Sequence, residues 1–183
     1  MANEYWKFNF RKITQLVLVV LVVFSIVKYF EIETHLKSWL PETQDKKPQY
    51  IVPFSLQDLD GNTRSISEWS DRRVLINFWA TWCVPCRREM PMLQNLYLNK
   101  DSHNIEIIGI AVDQNEPVRD FIHEYGIEFP ILIGQSNAYE IMQQLGNTAT
   151  TLPYTVVVEP DGLISWYKNT ELKPEDLPSI LGY

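Results

Sequence analysis

Cysteine is scarce in this sequence, which has only two among its 183 residues. Two thiols cannot build a scaffold of several disulfides or a metal site of four thiolates. Positive charge is also in deficit, with 16 Lys and Arg against 23 Asp and Glu and a net charge of −7. Because proteins that bind the phosphates of nucleic acids need clustered positive charge, the composition argues against a nucleic-acid partner.

Glycine and proline are few as well, at 7 and 11 residues, while 45% of the residues are hydrophobic. These proportions exclude a wholly disordered chain and a fibrous repeat. The length suits one domain with an appendage and is too short for two ordinary domains.

Residues 13–30 (ITQLVLVVLVVFSIVKYF) form a strongly apolar segment, almost unbroken from residue 16 to residue 27. As a helix, a segment of this length rises about 27 Å, close to the hydrocarbon thickness of a bilayer. The segment therefore predicts a transmembrane helix that is inserted in the membrane and kept as a signal anchor. A core helix of a soluble protein is the weaker interpretation, since polar residues at helical spacing are missing.

Basic residues precede this segment, at Arg11 and Lys12, and acidic residues follow it, at Glu31 and Glu33. Positive charge favours the cytoplasmic side of a span. We therefore predict residues 1–12 as the cytoplasmic N-terminus of a single-pass membrane protein. The rest would lie on the extracytoplasmic side. A cleaved signal peptide is the alternative, but the small-residue cleavage site that it needs is missing.

A polar linker over residues 31–49 and a mixed α/β domain over residues 50–183 follow the anchor. Because strands first alternate with helices and a hairpin comes last, we expect a mixed central sheet flanked by helices. The predicted strands cover residues 74–79, 105–112, 131–133, 154–158 and 163–167, after an N-terminal hairpin around Asp60 and Gly61. The predicted helices cover residues 84–99, 117–125, 138–145 and 174–181.

The pentapeptide Trp82-Cys83-Val84-Pro85-Cys86 lies between a predicted buried strand and the start of a helix. Unpaired backbone N–H groups and the positive end of the helix dipole favour a thiolate at that position. The thiolate is the nucleophile of disulfide exchange, and two intervening residues place the second sulfur on the same turn. We therefore predict a catalytic dithiol in which Cys83 attacks and the more shielded Cys86 resolves the mixed disulfide.

A structural disulfide and half of a zinc site are the alternatives for this cysteine pair. A bridge over so short a loop removes little chain entropy, so it would stabilise a domain poorly. A zinc site would need further ligands, and His35, His103 and His123 lack ligand spacing. We therefore expect no bound metal and no cofactor.

Residues 77–91, NFWATWCVPCRREMP, resemble the active-site segment of membrane-anchored TlpA/ResA-type thiol–disulfide oxidoreductases, a branch of the thioredoxin superfamily. The W-C-x-P-C core is shared widely, and the flanking N-F-W-A-T-W and R-R-E-x-P narrow the match to this branch. The resemblance extends over residues 50–183. It implies a thioredoxin-like fold with an added N-terminal β-hairpin and an inserted βα unit.

The resemblance also implies an exported, usually reducing enzyme that often serves cytochrome c maturation. Its location would be the bacterial inner membrane, with the catalytic domain on the periplasmic or extracytoplasmic side. Its substrate would be an exported protein with a disulfide, such as apocytochrome c, and its electrons would come from a membrane thiol donor. The net direction depends on a reduction potential that C-V-P-C does not fix. The sequence leaves the oligomeric state open.

Residues Thr151-Leu152-Pro153-Tyr154 match the loop that carries a cis proline opposite the cysteines in the resembled branch. By this resemblance, we expect a cis bond before Pro153 and a turn that presents the backbone of Leu152 to an extended substrate beside Cys83. An ordinary edge-strand start is the alternative. Tyr154 stands where a small hydroxyl residue often follows the cis proline in the resembled proteins, and it is included among the predicted substrate contacts.

Glu89 lies three residues after Cys86, on the same helix face. In the resembled branch, a Glu at this position lies under the active site and assists proton transfer at the buried cysteine. A partly buried carboxylate with a raised pKa suits that step, so Glu89 is predicted to be catalytic. A solvated residue that pairs with Arg87, Arg88 or a distant charge is the alternative. Ordinary thioredoxin has a buried Asp at the position of Asn77. Because that Asp is absent here and cannot relay protons, Glu89 becomes more important for proton transfer.

Trp79 and Trp82 are predicted to form an apolar rim around the disulfide. Trp82, next to the nucleophile, is expected to face the partner protein, whereas simple core packing is the alternative for Trp79. Pro85 joins Trp82 among the predicted substrate contacts.

Two other functions would fit the same fold. A copper metallochaperone would hold Cu(I) between the thiolates, but the Sco-type proteins that do so have three residues between their cysteines and a distal His. Here the spacing is two residues, and no His follows His123. An exported structural or adaptor domain with an incidental disulfide is the third option, which predicts that Cys83→Ser would keep function.

Overall fold

The computed structural model of the protein describes residues 12–29 and 49–182. They belong to two compact units, residues 1–46 and residues 47–183. The first unit contributes helix α1 (Lys12–Tyr29), whose 18 residues have a mean hydropathy of 1.9. The length and composition of α1 suffice for a membrane span and fit a signal sequence equally well. Apart from residues 12 and 49, the predicted cytoplasmic segment and linker lie outside the described residues.

The second unit contains seven strands and five helices among its described residues. The strands are β1 (Ser55–Asp58), β2 (Thr63–Ser65), β3 (Arg73–Trp79), β4 (Ile105–Ala111), β5 (Ile131–Ile133), β6 (Tyr154–Val158) and β7 (Ile164–Lys168). The helices are α2 (Val84–Leu98), α3 (Lys100–His103), α4 (Asn115–Tyr125), α5 (Asn137–Gln144) and α6 (Leu177–Leu181), with 3-10 turns at Ile66–Trp69 and Pro174–Asp176.

The strands form one mixed sheet in the order β2-β1-β5-β4-β3-β6-β7. Strand β4 runs parallel to both β3 and β5, and the other neighbouring pairs are antiparallel. The predicted mixed sheet and its N-terminal hairpin, β1 with β2, are confirmed. Strands β3 and β4 lie at the centre, which explains why their sequences are nearly continuous apolar runs.

Apolar side chains cover both faces of the sheet. On one face, Leu75 and Trp79 of β3 share a buried cluster with residues of α2, α4 and α6. On the other face, Ile76 and Phe78 share a cluster with residues of α5. Because side chains alternate along a strand, Asn77 lies on the same face as Leu75 and Trp79, under α2.

Several boundaries differ from the sequence prediction. Helix α4 begins at Asn115 rather than at residue 117. The helix predicted over residues 174–181 is divided into a 3-10 turn and α6. The division arises because Pro178 has no N–H to donate to the carbonyl of Pro174.

Gly109 of β4 leaves the space that the end of β3 requires. A Cβ at this position would lie 2.6 Å from Ile131 Cδ1, 3.0 Å from Trp79 Nε1 and 3.1 Å from Phe129 Cε2. We expect Gly109→Ala to lower the free energy of unfolding by about 2 kcal/mol through overpacking. Urea denaturation of the full-length protein in detergent measures this loss.

Gly61→Ala is the matched control. A Cβ on Gly61 would have nothing within 4 Å, but its φ of +84° disfavours a side chain. This control is expected to lose about 1 kcal/mol through backbone strain alone. A loss for Gly109→Ala no greater than that of the control would contradict the close packing around Gly109.

Candidate active site

The two cysteines meet at the start of α2, where they form a disulfide with a Cα–Cα distance of 5.3 Å. Cys83 is the N-cap residue of the helix, in an extended backbone conformation, and the backbone N–H of Cys86 donates to its sulfur at 3.3 Å. Pro85 occupies an early helical position, where no intrahelical N–H bond is needed. The sequence therefore places the sulfurs at a helix N-terminus, as predicted.

The two cysteine residues are both buried but differ in exposure. The Cys83 residue is 6% exposed and the Cys86 residue is fully buried. On either side of Cys83, Trp82 and Val84 are 62% and 60% exposed. A partner protein would therefore meet Cys83 first, between two apolar side chains.

Trp79 does not contribute to an apolar rim, which corrects the prediction for this residue. Its side chain is fully buried, and its ring lies 5.0 Å from the ring of Phe121 in α4. Core packing, the alternative, is the role that the structure gives it. The exposed Trp82 lies next to the nucleophile, as expected.

Asp113 holds the turn that leads into Cys83, and the sequence analysis does not identify it. Its Oδ2 accepts bonds from the Thr81 backbone N–H at 3.0 Å and from the Thr81 hydroxyl at 2.5 Å. The signal was available, because Thr81 and Asp113 follow the carboxyl ends of two adjacent parallel strands, β3 and β4. These bonds fix the loop immediately before the reactive sulfur.

The bond between Leu152 and Pro153 is cis, as predicted. Tyr154, the next residue, pairs with Phe78 of β3 in the antiparallel register. This register places Pro153 beside the end of β3, close to the turn that precedes Cys83. Leu152 is half-buried and Pro153 is buried.

Tyr154 is placed differently from its prediction as a substrate contact. Paired residues of neighbouring strands point to the same face, so Tyr154 faces the α5 side with Phe78. Its side chain is 1% exposed, and its hydroxyl donates to the Leu145 carbonyl at 2.6 Å. The side chain is therefore part of the core, where it ties the end of α5 to β6.

Glu89 lies one turn beyond Cys86 in α2 and is 1% exposed. Its Oε1 accepts a bond from Asn77 Nδ2 at 2.7 Å, and its Oε2 accepts one from the backbone N–H of Leu172 at 2.6 Å. Burial raises the pKa of Glu89 to about 7, although both hydrogen bonds act in the opposite direction. At neutral pH the carboxyl group can therefore either accept or give up a proton.

The alternative of a solvated, paired Glu89 is wrong. Arg88 instead makes a bidentate bond to Glu171, and Arg87 donates to the hydroxyl of Tyr125 at 2.7 Å. Both arginines are exposed, whereas Glu89 is buried on the side of the same helix that faces the sheet.

The described part of the second unit and α1 contain no group of three or more His, Cys, Asp and Glu side chains that could hold a metal ion. For Cu(I), the cysteine pair would therefore offer two sulfur ligands without a third side chain of these types.

Comparisons with known proteins agree with this geometry. Residues 48–167 match the AhpC/TSA family. The thiol-disulfide oxidoreductase ResA of Oceanobacillus iheyensis is 31% identical over 159 residues, which cover 86% of this chain and 79% of that protein. ResA of Bacillus thuringiensis subsp. konkukian is 29% identical over 174 residues, which cover 94% of this chain and 93% of that protein.

A solved structure establishes the fold. The crystal structure of a thiol:disulfide interchange protein of the thioredoxin family from Chlorobium tepidum has a TM-score of 0.66 to this chain at 24% identity. It covers 75% of this chain and 97% of its own. The thioredoxin-like fold that residues 77–91 implied is thus confirmed.

In the reduced protein, we expect Cys83 to react with iodoacetamide at neutral pH about ten times faster than Cys86. Cys83 is the more exposed residue of the two, and the helix N-terminus favours its thiolate. Mass spectrometry of the full-length protein in detergent measures both rates, with Cys83→Ser and Cys86→Ser as matched single-thiol controls. Equal rates for the two sulfurs would contradict their assigned order.

Glu89 should also make the stability of the protein depend on pH. Its pKa is raised from 4.5 to about 7, so the folded state holds this proton more tightly than the unfolded state does. The contribution to stability is complete below pH 4.5 and is lost as the pH rises through about 7, a fall of about 3 kcal/mol.

Urea denaturation of the wild type and of Glu89→Gln, from about pH 4 to about pH 8, measures this fall. Because the variant has no carboxyl group at this position, it should lack the fall. A difference between the two proteins that stays constant over this range would contradict a raised pKa.

Proposed function

This chain belongs to the AhpC/TSA family, as a thiol–disulfide oxidoreductase of the ResA type, and we propose that it reduces disulfides of exported proteins from a membrane anchor. The observation that carries the proposal is the Cys83–Cys86 bond at the start of α2, in which the more exposed cysteine has an exposed apolar residue on either side of it in the sequence. A buried acid, Glu89, lies one turn further along the same helix.

The proposed reaction begins with the dithiol form. The Cys83 thiolate attacks one sulfur of the substrate disulfide, forms a mixed disulfide and releases the other substrate sulfur as a thiolate. Cys86 then loses its proton and attacks the Cys83 sulfur, which releases the second substrate thiolate and closes the Cys83–Cys86 bond. The substrate gains two electrons and two protons, and the protein dithiol loses them.

Glu89 serves the second step as the proton acceptor for Cys86. A buried thiol has a raised pKa and needs a base before it can attack. The pKa of about 7 makes Glu89 ionised in part at neutral pH, so it can take the proton and return it when the dithiol is regenerated. The nearby arginines, Arg87 and Arg88, bond to other residues and leave the carboxylate to this role.

The substrate is proposed to bind across the exposed surface beside Cys83. Trp82 and Val84 supply apolar contact area, and Pro85 shapes the turn between the cysteines. The backbone of Leu152 is the proposed partner for an extended segment of the substrate, by main-chain hydrogen bonds.

The proposed location is the periplasmic or extracytoplasmic face of a bacterial inner membrane. Residues 1–12 would be cytoplasmic, residues 13–30 would span the membrane, and residues 31–49 would link the anchor to the catalytic domain, residues 50–183. The apolar composition of α1 and the basic residues before it support this arrangement. Apocytochrome c is the proposed substrate class, and a membrane thiol protein is the proposed electron donor.

Cys86→Ser provides the test, because Cys83 can still attack while no thiol remains to release the mixed disulfide. With the full chain in its own membrane, we expect acid quenching and alkylation to preserve adducts with exported proteins that carry a cysteine pair, apocytochrome c among them. The matched control Cys83→Ser should trap about tenfold less.

Two results would contradict the proposal. Adducts with cytoplasmic proteins alone would contradict the proposed side of the membrane. The absence of any protein joined to Cys83 would contradict exchange with protein disulfides.

A further inference from the structure

Asn77 is a fully buried polar residue in the middle of β3, and neither the fold nor the exchange of sulfurs explains it. Its register neighbours are Gly109 in β4 and Thr155 in β6. A buried amide is costly unless it is hydrogen-bonded, so its partners indicate what it is for. Among the described residues, the side chain of Asn77 has two hydrogen-bond partners, Glu89 and Thr155.

Both bonds use the nitrogen of the Asn77 amide. Asn77 Nδ2 donates to Glu89 Oε1 at 2.7 Å and to Thr155 Oγ1 at 2.9 Å. The amide oxygen, Oδ1, is buried and has no hydrogen-bond partner among the described residues. In this orientation the amide nitrogen of Asn77 donates to two acceptors, while the amide oxygen accepts no hydrogen bond from the described residues.

This orientation fits an ionised Glu89. A carboxylate only accepts hydrogen bonds, whereas a protonated carboxyl group also needs an acceptor for its O–H. At Glu89, one oxygen meets the Asn77 amide and the other meets the backbone N–H of Leu172. Donors therefore face both oxygens, which favours the charged form against the effect of burial.

We propose that Asn77, held in place by Thr155, is a positioning residue that orients the Glu89 carboxylate and keeps it able to ionise inside the protein. The inference rests on the proposed function in that the exchange would use Glu89 as its base. Without the Asn77 amide, the hydrogen bond from Leu172 would be the main remaining opposition to the effect of burial on the pKa of Glu89, and Glu89 would stay protonated at neutral pH.

The charged groups around Glu89 lie on α2, at the end of β7 and in the residues that follow β7. Arg88 on α2 itself is bound to Glu171, the residue before Leu172, and Lys168 at the end of β7 is bound to Asp176. Glu171 raises the pKa of Glu89 and Lys168 lowers it, and both effects rank below those of burial and of the two hydrogen bonds. Strands β3 and β6 contribute the neutral side chains of Asn77 and Thr155.

Asn77→Leu tests the inference, because leucine has a similar size and no donor. We expect the titration midpoint of Glu89 in the oxidised full-length protein to rise by about one unit. Carbon-13 NMR of glutamate labelled at the carboxyl carbon measures this midpoint in detergent, and Glu89→Gln identifies the resonance. The rate of the Cys86 step should then fall about tenfold at a pH one unit below the wild-type midpoint.

Thr155→Val tests the second contact and keeps the residue shape and strand propensity. It leaves the Asn77 amide without its second acceptor, so the Glu89 midpoint should move in the same direction by less. Asn147→Ala is the matched control, because it removes another buried amide that is bonded to Thr151 rather than to Glu89. The control should leave the Glu89 midpoint unchanged.

An unchanged or lowered midpoint in folded Asn77→Leu would overturn the inference. If Asn77→Leu does not fold, Thr155→Val decides, and an unchanged midpoint there would overturn it as well. A raised midpoint together with an unchanged pH profile of the Cys86 step supports the positioning role of Asn77. That result would refute the acid–base role of Glu89 in the proposed function, so the two failures are distinguishable.

Discussion

The N-terminus of α2 makes the two sulfurs chemically different. Cys83 caps the helix from an extended conformation, and its sulfur receives the N–H of Cys86. A negative charge on this sulfur is stabilised by that N–H and by the helix dipole, and Cys86 lies one turn inside, where it is fully buried. The order of attack and resolution follows from this one position, and the bonds between Thr81 and Asp113 hold the turn that creates it.

Burial has the opposite effect at Glu89. The helix end lowers the free energy of an anion at Cys83, whereas removal from water raises the free energy of an anion at Glu89. Donors from Asn77 and Leu172 offset part of that cost, and the resulting pKa is about 7. One helix thus combines a sulfur that favours its thiolate with a carboxyl group that can exchange a proton near neutrality, which are the two properties that the proposed exchange requires.

The sequence predicts the cysteine site well because that site depends on local order: a buried strand, a short turn and a helix start. The cis bond at Pro153 could be expected only through the family resemblance. The prediction for Trp79 is wrong because its burial depends on packing against Phe121 of α4, and the prediction for Tyr154 is wrong because its face depends on the register of β6 with β3. The contacts of Glu89 with Asn77 and Leu172 join residues 12 and 83 positions apart, and no local pattern encodes such contacts.

The loop after β7 shows how an exposed ion pair can serve a buried group. Consecutive residues of α2, Arg88 and Glu89, bind consecutive residues of that loop, Glu171 and Leu172. An exposed pair such as Arg88 with Glu171 contributes little stability by itself. It nevertheless restrains the loop one residue from the N–H that binds Glu89, so the main effect of the pair is positional. The donor that meets the carboxylate is thereby held by a contact outside the core. Among the described residues, no cation forms an ion pair with Glu89 that would fix it in the ionised state.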